Sequence, residues 1–123
     1  MKIVVTALGA RLDSRIDPRF GRCQYLIIYD TETKTFESIA NENVMAGGGA
    51  GIKTAQYVVD KGVVAVITGN VGPNAYRVLS QAGIKIAVNA DGTVNDMINK
   101  FIEGSLKFAS DATVSDHFGI SNK

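Results

Sequence analysis

The chain has 123 residues, of which 46% are hydrophobic and 20% charged, the proportions of one soluble globular domain. Thirteen Lys and Arg against twelve Asp and Glu leave a net charge of +1, so bulk charge gives no reason to expect nucleic acid as a partner. A single cysteine excludes an internal disulfide and a cysteine-only zinc site, and no apolar run approaches the ~20 residues of a membrane span.

The predicted elements begin with strands. Lys2 to Leu8 is apolar and β-branched, with none of the marks of a secretory leader, which makes a cytoplasmic protein the expectation. Gly9 to Arg22 follows as a polar, arginine-rich loop without visible periodicity. Loops longer than about 12 residues are usually functional or disordered, which predicts a segment that orders on binding an anion. Tyr25–Tyr29 and Thr35–Asn41 are two further strands joined by the polar stretch Asp30–Lys34. So short a connection requires a hairpin.

Beyond Asn41 the period changes from two to that of a helix. Ile52, Ala55, Tyr57 and Val59 suggest the apolar side of a first helix, with Gly62 at its end. Val63–Thr68 is an uninterrupted apolar strand of the kind covered on both faces. Pro73 opens a second helix whose inner face is Ala75, Val78, Leu79 and Ala82, ended by Gly83. Ile84–Val88 is the last strand. Thr93 and Asp96 form a capping-box pattern before the stripe Val94, Met97, Ile98, Phe101 and Ile102, and Gly104 closes that helix. The order β-β-β-α-β-α-β-α implies a leading meander followed by βαβ units, hence a mixed five-stranded sheet with helices on its faces. Ser105–Lys123 reads as a polar tail, possessing a short echo (Asp116-His117-Phe118-Gly119) of Asp17-Pro18-Arg19-Phe20-Gly21.

Several segments have chemical potential. Gly47 to Thr54 fits a phosphate-binding loop except at Ile52, where that motif needs glycine to wrap the phosphate. The following strand has no terminal Asp for magnesium, and Lys2–Leu8 has no carboxylate for a nuclease centre. Gly69 to Asn74 occupies the strand-to-helix turn where open α/β sheets place ligands, without being G-x-G-x-x-G. Arg11, Arg15, Arg19 and Arg22 are four of the five arginines, opposed locally only by Asp13 and Asp17. They form either an oxyanion-binding loop or a solvated set of ion pairs. Cys23 is either a thiolate of lowered pKa beside those arginines, fit to ligate a soft metal, or a small core residue. His117 is the sole histidine, so no His-pair metal site or catalytic triad is available.

The run Asp17-Pro18-Arg19-Phe20-Gly21-Arg22-Cys23-Gln24-Tyr25-Leu26-Ile27-Ile28-Tyr29-Asp30, the glycines Gly47–Gly51 and the segment Ile67–Ala75 resemble the dinitrogenase iron–molybdenum cofactor biosynthesis family, which includes NifX-like carriers and NifB C-terminal domains. The resemblance implies a domain over 1–104, leaving 105–123 as a tail. It implies a ribonuclease-H-like three-layer α/β/α fold of strand order 3-2-1-4-5, with strand 2 antiparallel. It further implies a protein that is not an enzyme. Such a protein binds or carries an iron–sulfur or molybdenum-containing cluster, largely non-covalently and without nucleotide, since some related small proteins hold molybdenum–copper sulfide clusters without covalent attachment. Its partners would be cluster donor and acceptor proteins rather than nucleic acid or membrane, and it would be a monomer or weak homodimer. Other members often carry histidine before Phe-Gly where this chain has Arg19, which removes a ligand there. The expected site joins Arg19 and Arg22 as counter-charges, Gly48, Gly49 and Gly72 as backbone donors, and Cys23 as the one metal ligand. A protein–protein adaptor that binds no metal is the rival reading.

Overall fold

The computed structural model describes residues 1–42, 49–110 and 112. Five strands, β1 (Lys2–Ala7), β2 (Tyr25–Asp30), β3 (Thr35–Ala40), β4 (Ala65–Ile67) and β5 (Lys85–Ala87), form one sheet of order β3-β2-β1-β4-β5. β2 is antiparallel to both neighbours, whereas β4 and β5 run parallel to β1. This is the expected mixed sheet. Three helices, α1 (Ala50–Asp60), α2 (Pro73–Gln81) and α3 (Val94–Glu103), complete the expected order. The parallel strands are three residues each, shorter than the apolar runs that contain them.

Alternation along the central strands divides the interior into two cores. Val4, Leu26, Ile28, Val66 and Ile86 pack against α1 and α2 through Ala55, Val58, Ala75 and Leu79. Ile3, Val5, Ala7, Ile27 and Ile67 pack against α3 through Val94, Met97 and Ile98. With both faces covered, β1 and β4 need no polar alternation, which is why their sequences are continuous apolar runs. Gly62, Gly83 and Gly104 follow the three helices with left-handed φ of 74°, 78° and 75°, each where the sequence places a helix end. At the start of α3, Thr93 Oγ1 accepts from the Asp96 amide and the Asp96 carboxylate accepts from the Thr93 amide, the anticipated capping box.

The inner face of α1 differs from the expectation. Ala50, Thr54, Ala55 and Val58 are buried, while Ile52, Tyr57 and Val59 lie on its flanks. A threonine takes an inward position because its hydroxyl has partners there, donating to the Gly21 carbonyl at 3.3 Å.

Two further segments pack against the sheet more closely than their composition suggests. The Gly9–Arg22 loop contains apolar anchors: Ile16 is 7% and Phe20 2% exposed. Leu8 donates to the Arg15 carbonyl and Asp17 to the Thr6 carbonyl, so the loop returns alongside β1. The start of the presumed tail also has structure. Phe108 bridges Ala87 in antiparallel fashion, Ala109 donates to the Ile86 carbonyl at 2.7 Å, and the Lys85 ammonium sits over the Phe108 ring. This segment therefore covers the β5 edge of the sheet. His117 and its flanking residues lie outside the described residues.

The capping box gives a direct test. Thr93→Ala should destabilise the fold by about 1 kcal/mol, the usual cost of losing an N-cap. Urea unfolding of the two proteins measures it, and Thr93→Asp should recover most of the loss.

Candidate functional site

The loop Asp17–Cys23, the first turn of α1 and the turn Gly69–Gly72 before α2 meet at the end of the sheet where β1 and β4 finish. Backbone contact makes the junction close. Pro18 accepts from the Asn70 amide at 2.7 Å, and Asn70 accepts from the Phe20 amide at 3.2 Å, pairing loop and turn like two short strands. A Cβ on Gly69 would come within 2.6 Å of the Pro18 Cα, and one on Gly21 would come within 2.6 Å of the Gly51 Cα. Only hydrogen fits at either position. Gly51 in turn lies against Ala75 of α2, so loop, helix and turn form a single packed rim.

Asp17 holds this rim from beneath. Its side chain is 0% exposed, and one carboxylate oxygen accepts from the Arg19 amide at 3.1 Å while the other accepts from the Gln24 amide at 3.0 Å. The Arg19 Nε lies 3.5 Å from the first oxygen, although the Arg19 side chain is 46% exposed. Thr6 donates to the Asp17 carbonyl at 2.7 Å, and the Thr6 and Thr68 hydroxyls lie 2.8 Å apart, which ties the loop to β1 and to the residue after β4. On the other side Asn41 donates to the carbonyls of Gly21 and Cys23 at 3.2 and 3.0 Å. The contrast with Arg11 and Asp13 is clear. That pair meets at 3.0 Å with both side chains largely in solvent, the solvated arrangement that contributes little.

Of the residues expected to make a site, Arg19 stands exposed on the rim and Arg22 is half-buried in the same loop. Gly49 and Gly72 are the N-cap residues of α1 and α2, and neither helix has a side-chain cap there. The first turns of both helices thus carry amides that no capping side chain takes up. Gly48 lies outside the described residues. Gly51 and Ile52 are already inside α1, so the near-match to a phosphate loop is mostly helix.

Cys23 requires a correction. Of its two readings, a ligating thiolate of lowered pKa or a small core residue, the structure favours the second: the side chain is 0% exposed in the core under α1 and α2. Burial, reinforced by the Asp17 charge, pushes its thiol up to about 12, outweighing the Asn41 hydrogen bond and the Arg19 charge. A thiol of raised pKa enclosed in apolar surroundings packs as a core residue and is poorly placed to ligate a metal. Among the described residues no group of three or more His, Cys, Asp or Glu side chains is arranged to hold a metal ion. The residues that sequence reasoning passed over are Asp17, cast only as a counter-charge, and Asn41 with Thr54. Their roles are visible only through contacts distant in sequence.

The sequence pattern of the dinitrogenase iron–molybdenum cofactor family matches residues 1–104. The chain belongs to that family. The apo form of the orange protein from Desulfovibrio gigas superposes with a TM-score of 0.89 at 35% identity, over 92% of this chain and 96% of that one. A Thermotoga protein described as a candidate NifB superposes with a TM-score of 0.80 at 37% identity, over 92% and 97% of the two chains. An uncharacterised Methanocaldococcus jannaschii protein is 32% identical over 111 residues, covering 87% of this chain and 94% of its own. The family is thus one connected with the iron–molybdenum cofactor, and the two solved relatives share this fold. No helix among the described residues is long and apolar enough to cross a membrane.

The state of Cys23 is readily checked. At pH 8 the native thiol should react with a disulfide reagent far more slowly than the same protein in denaturant, since thiolate is the reactive form. Comparable rates in the two conditions would place Cys23 at the surface.

Proposed function

We propose that this chain is a carrier, not an enzyme, for an anionic metal–sulfide cluster held on the rim formed by loop Asp17–Cys23 and the N-termini of α1 and α2. The observation that carries this reading is the convergence of two helix N-termini lacking side-chain caps with the exposed Arg19 guanidinium. Helix N-termini present N–H groups and the positive end of the dipole, and arginine adds a fixed charge with directional donors. Family membership supports the cargo class, being tied to the iron–molybdenum cofactor. One structural relative is described in an apo form, consistent with a fold that holds a removable group.

The donor set defines how binding works. With Cys23 buried, the rim offers charge and hydrogen bonds and no thiolate, whereas usual protein-ligated iron–sulfur clusters take four thiolates or a Cys/His mixture. The cargo that fits is an inorganic cluster whose metals are already saturated by their own sulfides. Arg19 and Arg22 balance its charge, and amides near Gly49 and Gly72 hydrogen-bond its sulfur atoms. Donor and acceptor proteins for such a cluster are the partners this role requires.

Reconstitution with thiomolybdate, followed by titration with salt, tests the reading. Charge-assisted contacts contribute roughly 1.5–3 kcal/mol each, so Arg19→Ala with Arg22→Ala should weaken binding by about a hundredfold or more. Added salt should release the cluster, and Cys23→Ser should retain most of the affinity. Loss of binding in Cys23→Ser with retention in the double arginine variant would instead mark a thiolate site.

A further inference from the structure

We propose that Asp17 is a positioning residue for this anion site, and that a buried negative charge strengthens anion binding by fixing the donors above it; the proposal rests on the reading of the rim given above. The carboxylate is in an unexpected place. It sits fully buried directly beneath the surface that is to receive an anion, where its charge acts against the ligand. Its contacts show what it supplies in return. The two oxygens accept from the amides of Arg19 and Gln24, five residues apart, closing the loop into a compact turn. The same oxygen that takes the Arg19 amide also faces the Arg19 Nε at 3.5 Å.

The geometry leaves the guanidinium in a definite state. Nε faces Asp17 while nearly half of the side chain remains exposed, so the far end of the fork is open to a ligand. A free arginine loses side-chain freedom when it orders on a ligand, and that loss opposes binding. Paired with Asp17 at Nε, Arg19 gives up part of that freedom before the ligand arrives. The positioning effect and the direct charge effect of Asp17 therefore have opposite signs, which makes the proposal decidable.

Asp17→Asn has nearly the same shape but lacks the charge, and its NH2 cannot accept from both loop amides. If Coulomb repulsion dominated, this variant would bind thiomolybdate more tightly than the native protein. We expect it to bind about tenfold more weakly, a coupling of the size found between contacting residues. In an Arg19→Gln background the same change should produce no weakening, since no guanidinium remains to be positioned. A role in overall stability alone would lower the unfolding midpoint equally in both backgrounds, yet would not make the affinity loss depend on Arg19.

Arg19→Lys supplies a second measurement should Asp17→Asn fail to fold. It keeps the charge but has no Nε–H donor fork, and about tenfold weaker binding is again expected. Solvent exchange of the Arg19 Nε–H, followed by NMR without ligand, separates the two levels of the argument. Slowed exchange with no thiomolybdate binding would overturn the cluster reading and with it the affinity claim for Asp17. Free exchange of the Nε–H, tighter binding by Asp17→Asn, or an unchanged Asp17→Asn effect without Arg19 would each overturn the positioning role itself.

Discussion

The rim of this protein depends on one buried carboxylate. Burying an unpaired charge is strongly unfavourable, so Asp17 is tolerable only while the Arg19 and Gln24 amides and the Arg19 side chain surround it. The dependence runs both ways. Without that acceptor, amides in a tight loop would need other partners, and the chain between Pro18 and Cys23 would lose its reason to turn there. Thr6 and Thr68 transmit the same constraint into the sheet: their hydroxyls lie 2.8 Å apart, and Thr6 binds the Asp17 backbone. The centre of the sheet thus carries one polar column leading from two central strands to the rim.

Around that column the fit is steric. Gly21 against Gly51 and Gly69 against Pro18 bring backbone to backbone at distances that leave no room for a side chain. These contacts bring the N-termini of α1 and α2 to the same edge of the loop, because Gly51 lies in the first turn of α1 and Gly69 in the turn that leads into α2. Asn41 completes the arrangement from the far side, where a single side-chain amide gathers the carbonyls of Gly21 and Cys23 while Thr54 of α1 also reaches Gly21. A short polar network of this kind fixes one loop conformation more sharply than apolar packing does.

Element order and helix count were legible because period and punctuation are local signals, whereas the strand order of the sheet came from the family resemblance. The apolar runs of β1 and β4 report double coverage, the short Asp30–Lys34 connection reports a hairpin, and glycines mark all three helix ends. The site was legible only in part, because its decisive facts are long-range. Arg19 reads as a candidate from charge clustering, but the difference between Asp13 and Asp17 is one of burial, not of residue type or spacing. Cys23 is next to Arg22 in sequence, yet the strand start turns it inward and places it under the helices. Thr54 looks polar enough to face water and is buried because a carbonyl 33 residues earlier accepts its hydroxyl. Proximity along the chain misled in the second case, and composition misled in the third.

On the proposed carrier reading, a rim of amides and arginines over an enclosed thiol favours transfer over storage. Thiolate ligation would make release depend on ligand exchange at the metal, with the protein competing against the acceptor for coordination positions. Hydrogen bonds and charge leave the metal's coordination untouched, so an acceptor with a denser cationic surface or with thiolates of its own can draw the cluster away intact. Arg19 illustrates the compromise. Its Nε lies 3.5 Å from an Asp17 oxygen, and that carboxylate also offsets part of the positive charge an anion at the rim would meet. The arrangement gives up some attraction in exchange for a fixed direction, which is what the proposed carrier role calls for.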